Sequence, residues 1–219
     1  GLMGGGIAQV AAQAGLPTTV RELTDPLCAA ARDAIEQSLT RAVEKGKATS
    51  EARDAAMRHL TFTTQLVDVA RSDIVIEAVV EDLETKNALW RELDRWCAST
   101  TVFASNTSSL TIAAMARACG RGDRLVGLHF FNPVPAMKLV EVVRTITTSD
   151  ETFERAVAFV RRIEKQPITA RDSSGFIVNR LLIPYMLDAI RAHENGVGTV
   201  PDIDAGMELG AGYPMGPFT

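Results

Sequence analysis

Residues 72–106 read SDIVIEAVVEDLETKNALWRELDRWCASTTVFASN. SDIVIEAV (72–79) is a nearly unbroken apolar run of strand length. LETKNALWRELDRWC (83–97) spaces its apolar residues as an amphipathic helix does, and TVFASN (101–106) is a second apolar strand. Strands without polar alternation are covered on both faces, and a helix between two of them makes a parallel crossover. This unit sets the fold class as α/β, and the rest of the chain extends it.

Downstream, SLTIAAMARAC (109–119) predicts a helix, DRLVGLHFF (123–131) a strand and KLVEVVR (138–144) another. ETFERAVAFVRRIE (151–164) predicts a helix and QPITAR (166–171) a last strand. Upstream, GLMGGGIAQVAAQAG (1–15) is a glycine-rich turn running into a helix of small residues, stopped by Gly15. Ala8, Ala11, Ala12 and Ala14 would let it approach a sheet closely. TTVREL (18–23) is a short strand. A helix over 25–46 follows, with Asp25 as cap, Pro26 at its first position and a stripe of Leu27, Ala30, Ala34, Ile35, Leu39 and Val43. A second helix covers about 50–58. The whole predicts a doubly wound, mainly parallel sheet.

The texture changes after DSSG (172–175). FIVNRLLIPYMLDAIRAHENG (176–196) is one long helix kinked at Pro184, and PDIDAGMELGA (201–211) a shorter one. Two domains are expected: 1–171, built on the sheet, and 172–219, all-helical and incomplete. The strand that should precede the glycine turn is absent. Without it the sheet would carry two exposed edges at its centre, so the sequence is expected to be cut from a longer chain at both ends.

Composition narrows the function classes. There are 219 residues, 46% hydrophobic, with 23 Lys+Arg against 27 Asp+Glu, so no general basic footprint for nucleic acid exists. No apolar run reaches the ~18–20 residues of a membrane span. Cys28, Cys97 and Cys119 are odd in number and far apart, which suits inert thiols in a reducing, cytoplasmic setting. No metal-ligand spacing occurs.

Gly1 and Gly4 have the spacing of the second and third glycines of a dinucleotide turn, and Glu22 ends the next strand 21 residues after Gly1. There it could bind a ribose 2′-hydroxyl and repel a 2′-phosphate, favouring NAD over NADP, although Arg21 beside it counts the other way. The plainer reading is a glycine-rich helix start and a solvated Glu22. In HFFNPVPAMKLVE (129–141), His129 ends a strand at the sheet's predicted carboxyl edge. A turn follows, and a returning strand brings Glu141 back towards it. A lone histidine is more often core. Here the return of a carboxylate between Val140 and Val142 suggests a base and the acid that orients it. His59 and His193 have no such partner pattern and read as structural.

GLMGGGIAQVAAQAG, VIEAVVEDLETK, FASNTSSL, GLHFFNPVPAMKLVEVV, DSSGFIVNRLL and LGAGYPMGPF together resemble the L-3-hydroxyacyl-CoA dehydrogenase family, including bacterial 3-hydroxybutyryl-CoA dehydrogenases. The resemblance covers nearly the whole chain. It departs in the missing first glycine, in Glu22 where many relatives have Asp, and in DSSG for DxPG. It implies a Rossmann-type first domain, NAD as cofactor, an acyl-CoA substrate and a homodimer through the helical domain. It implies His129, Glu141, Ser108 and Asn179 as the catalytic set; physics alone would not choose Ser108 over Thr107 or Ser109, and helix capping or a polar surface are the plainer readings of Ser108 and Asn179. By family position, Gly1, Leu2, Met3, Gly4, Glu22, Ala78, Glu81, Lys86, Asn106, Ser108 and Asn132 would meet the cofactor. Glu81 and Lys86 otherwise read as a solvated helix face. Ser38 and Lys45, two helical turns apart and on one face with Arg41, would meet CoA, against an ordinary charged surface. Three competing readings remain: a dehydrogenase of free hydroxy acids resembling gulonate dehydrogenases, a non-catalytic scaffold, and a piece of a multifunctional chain.

Overall fold

A computed structural model describes residues 1–219. The chain divides into a unit Gly1–Ser173 and a unit Ser174–Thr219. The first contains α1 (Leu2–Gln13), β1 (Thr18–Arg21), α2 (Asp25–Glu44), α3 (Ser50–Arg58), β2 (Leu60–Thr63), β3 (Ile74–Glu77), α4 (Leu83–Trp96), β4 (Val102–Ser105), α5 (Ile112–Ala116), β5 (Leu125–Phe130), β6 (Leu139–Arg144), α6 (Asp150–Arg162) and β7 (Gln166–Arg171). Asp172 belongs with this unit because its carboxylate accepts the backbone N–H groups of Ile112 and Ala113, each at 2.8 Å, at the start of α5.

The strands form a five-stranded sheet in the order β3-β4-β5-β6-β7 and a separate parallel pair, β1-β2. β3, β4 and β5 are mutually parallel; β6 runs antiparallel to β5, and β7 runs parallel to β6. β1 and β3 are not hydrogen-bonded to each other. Helix α1 bridges the two sheets through its core. Ile7, Val10 and Ala11 pack with Val126, Leu128 and Val140 of the larger sheet, whereas Ala8 and Ala12 pack with Val20, Ile35 and Leu60. Small side chains on two sides of one helix allow this. Gly15, at φ +76°, closes the helix in the left-handed region that favours glycine.

Three local expectations are corrected. Thr24, not Asp25, is the cap of α2, so Pro26 sits one position further in. The buried stripe of α2 is Cys28, Ile35 and Leu39; Leu27, Ala30 and Ala34 face outward. The helix expected over 109–119 is α5 alone, because Ser109 and Leu110 are held in a turn by Thr107.

All six residues of β5 are buried. Gly127, on the same face as His129, packs tightly against β6 and α5: a Cβ there would lie 2.7 Å from Val143 Cβ and 2.9 Å from Ile112 Cδ1. Both neighbours are fully buried and cannot swing away. Gly127→Ala is therefore expected to destabilise the fold by about 1–3 kcal/mol through overpacking, read as a lowered urea midpoint with unchanged slope.

The second unit holds α7 (Val178–Glu194), α8 (Val200–Ala205) and a π-helical turn, Gly206–Gly210. Thr199 caps α8 by accepting the Asp202 N–H. Ala189 is the one buried residue of α7, while Leu181, Leu182, Ile183, Met186, Leu187 and Ile190 are exposed. No helix of the chain is long and apolar enough to cross a membrane.

Candidate active site

The β5–β6 register places His129 opposite Glu141. Facing residues of an antiparallel pair project to the same side of the sheet, so side chains twelve residues apart meet. His129 Nδ1 lies 2.6 Å from Glu141 Oε2, with Glu141 0% and His129 5% exposed. The Phe131 ring packs against the imidazole, with centroids 4.5 Å apart. A carboxylate so completely buried is stable only beside groups that donate to it.

His129 opens onto a cleft of about 330 Å3 at the carboxyl edge of the parallel strands. Met3, Ala78, Glu81, Asn106, Ser108 and Asn132 line it, so six of the residues expected at the cofactor share one wall system. Val79, Phe130 and Phe131 complete the lining. Asn106 is fixed by accepting the Phe130 N–H at 2.9 Å, and Asn132 precedes a cis proline, Pro133. Ligands of open α/β sheets bind at this edge.

Glu81 organises the turn that carries Ser108. Its Oε1 accepts from the Thr107 hydroxyl, the Ser108 N–H at 3.0 Å and the Ser109 N–H at 3.2 Å. Burial opposes its ionisation, but the Thr107 hydrogen bond and the Lys86 charge prevail and hold the carboxyl at about 2. Glu22 follows β1, and its carboxylate lies beside Gly1 at the start of α1. The first N–H groups of α1 have no side-chain cap, because Gly1 has no side chain to supply one. Free N–H groups at a helix start, with an acid beside them, fit a dinucleotide's pyrophosphate and ribose.

Residues 1–173 match the model of the 3-hydroxyacyl-CoA dehydrogenase NAD-binding domain, and residues 175–219 that of the 3-hydroxyacyl-CoA dehydrogenase C-terminal domain. The chain belongs to the 3-hydroxyacyl-CoA dehydrogenase family. It is 50% identical to the mitochondrial hydroxyacyl-coenzyme A dehydrogenase of Rattus norvegicus, covering 100% of this chain and 71% of that protein. It is 48% identical to a 3-hydroxybutyryl-CoA dehydrogenase of Mycobacterium tuberculosis, covering 100% and 77% respectively. Among solved structures, the (S)-3-hydroxybutyryl-CoA dehydrogenase of Ralstonia eutropha superposes with a TM-score of 0.96 at 37% identity, over 99% of this chain and 77% of that one.

Other positions expected from 3-hydroxyacyl-CoA dehydrogenases are placed less directly. Leu2 is exposed at the α1 start, and a Cβ added at Gly4 would lie 3.7 Å from Ala78 Cβ, an ordinary contact. Ser38 is half-buried on α2 and Lys45 is exposed at its end; neither lines the cleft. Asn179 lies in the first turn of α7, in the second unit. The solvated-face reading of Lys86 is wrong: the residue is 1% exposed, with Nζ between Glu77 Oε1 at 2.6 Å and Glu81 Oε2 at 3.1 Å. It is not among the residues that line the cleft.

Sequence reasoning passed over Glu77, whose carboxylate also accepts the Val79 N–H at 2.8 Å and the Ser105 hydroxyl at 2.6 Å. The signal was available: an acid in the middle of IVIEAV. A second depression, about 390 Å3, lies at the opposite edge around Arg121 and Asp94. Arg121 is engaged there by Asp94 and by the carbonyls of Ala98 and Cys97, which makes it a brace for α4.

Proposed function

We propose that this chain catalyses the reversible NAD-dependent oxidation of (S)-3-hydroxyacyl-CoA to 3-oxoacyl-CoA, with His129 as general base and Glu141 as its orienter. The observation that carries this reading is the buried 2.6 Å contact between His129 and Glu141 at the mouth of the cleft. With Nδ1 committed to the carboxylate, Nε2 is the atom that takes the substrate's hydroxyl proton. Glu141 holds the proton on Nδ1 and offsets the positive charge the ring acquires. The Ser108 hydroxyl donates to the substrate oxygen, and Asn179 is the fourth member of the set. Bound NAD would supply the hydride acceptor. Gly1, Leu2, Met3, Gly4, Glu22, Ala78, Glu81, Asn106 and Asn132 would hold the dinucleotide. Ser38 and Lys45 would meet the CoA moiety.

The exposed apolar face of α7 supports a homodimer formed through the helical unit, since a patch of that kind on a helix marks an interaction surface. The activity is tested by following NADH absorbance with acetoacetyl-CoA, with free acetoacetate and with NADPH in parallel. Rapid NADH oxidation with the thioester, and little with the acid or with NADPH, is the expected result. Activity on the free acid alone would overturn the CoA assignment. No turnover while NADH still binds would overturn the catalytic one.

A further inference from the structure

The structure assigns to Glu77 a positioning role: through two separate lines of hydrogen bonds, this buried carboxylate fixes the turn that presents Ser108. The inference rests on the reading of Ser108 as a substrate contact and extends it to a residue outside the cleft.

The first line runs along the sheet. β3 and β4 pair so that Glu77 faces Ser105. Glu77 Oε2 accepts the Ser105 hydroxyl at 2.6 Å, and the Ser105 oxygen accepts the Thr107 N–H at 3.2 Å. The second line runs through a cation. Glu77 Oε1 receives Lys86 Nζ at 2.6 Å, and the same ammonium reaches Glu81 Oε2 at 3.1 Å. Glu81 Oε1 then accepts from Thr107, Ser108 and Ser109. Both lines end on the segment 105–109. A carboxylate two hydrogen bonds away by the first line and three by the second thus controls the backbone on either side of Ser108.

Burial explains why the arrangement is stiff. The side chains of Glu77 and Lys86 are 0% and 1% exposed. Two desolvated charges gain little net stability over an apolar pair of similar volume, but removing one partner leaves the other uncompensated. The ammonium therefore cannot leave Glu77 for water, and Glu81 is held at a fixed distance from strand β3. Glu81 itself is partly open to solvent, so without Lys86 its long side chain would have other rotamers available.

Glu77→Gln keeps the shape, removes the charge and frees Lys86 from one arm. The first readout is hydrogen exchange in the ligand-free protein. The Ser108 and Ser109 amides are expected to exchange about tenfold faster, with β5 amides unchanged. The second is a double-mutant cycle on kcat/KM with acetoacetyl-CoA. Glu77→Gln is expected to cost about tenfold to a hundredfold in the wild-type background, as small misplacements near reacting atoms do. In a Ser108→Ala background it should cost less than about threefold, because the group it positions is gone.

Equal losses in both backgrounds, or unchanged exchange at residues 108 and 109, would overturn the inference. An inactive wild-type protein, or Ser108→Ala at full activity, would overturn the underlying reading instead and be visible as such. If Glu77→Gln does not fold by circular dichroism, Ser105→Ala cuts one line only. It should then show a smaller loss with the same dependence on Ser108.

Discussion

His129→Ala is expected to lower kcat for both directions of the reaction by about 10²–10⁴, the usual contribution of a positioned acid–base group. That corresponds to roughly 3–5 kcal/mol of barrier. The NADH dissociation constant, measured by fluorescence titration, should stay within about threefold of wild type, because removing an acid–base group acts on the chemical step and leaves ground-state binding in place. The imidazole is one wall of a cleft whose other walls come from α1, the 78–81 turn and the Ser108 turn. The substitution removes volume but leaves β5 paired on both sides, so the strand and its register persist. A kcat within about threefold of wild type would remove His129 from the mechanism. A loss confined to NADH affinity would make it a cofactor contact.

How far the sequence reveals this site depends on whether its signals are local. His129 and Glu141 were legible because a turn and a returning strand lie between them, and an acid flanked by valines on a covered strand has to be explained. Glu77 carries the same signal in IVIEAV. Its meaning was hidden because its partner Lys86 lies on a helix whose charged residues read as solvent-facing. Helical spacing gives the angle between residues but not which face a sheet will cover, and α4 buries Lys86 and Asn87 along with Trp90 and Leu93. The same limit accounts for α2. Its apolar residues spread over more than one face; contact with α1 selects Ile35 and Leu39, and Cys28 is buried where its thiol donates to the Thr63 carbonyl of β2. Strands β3, β4 and β5 were legible because they are nearly continuous apolar runs. The order β3-β4-β5-β6-β7 then follows from crossover connections and one hairpin-like return. The choice of Ser108 among SNTSS needed more than the motif: Thr107 is buried and Ser109 is held by Glu81, while Ser108 lines the cleft.

Glu141→Gln is expected to separate chemistry from stability. The amide is close to the carboxylate in size, so β6 keeps its packing between β5 and β7. It carries no charge, and it can turn an N–H towards Nδ1. The imidazole would then hold its proton on Nε2, the wrong nitrogen to accept one from a hydroxyl, and a cation forming on the ring would have no counter-charge. An expected kcat loss of about 10²–10³ follows, below the ceiling set by losing the ring. Stability should move the other way or not at all. A side chain with 0% exposure holds its charge against a large desolvation cost, and a neutral replacement of equal shape relieves it. The urea midpoint of Glu141→Gln is therefore expected at or above that of the wild type, with NADH affinity unchanged. A variant that loses stability while keeping its turnover would show that Glu141 only packs the sheet. One that loses turnover at undiminished stability would show that the buried charge is there for the proton.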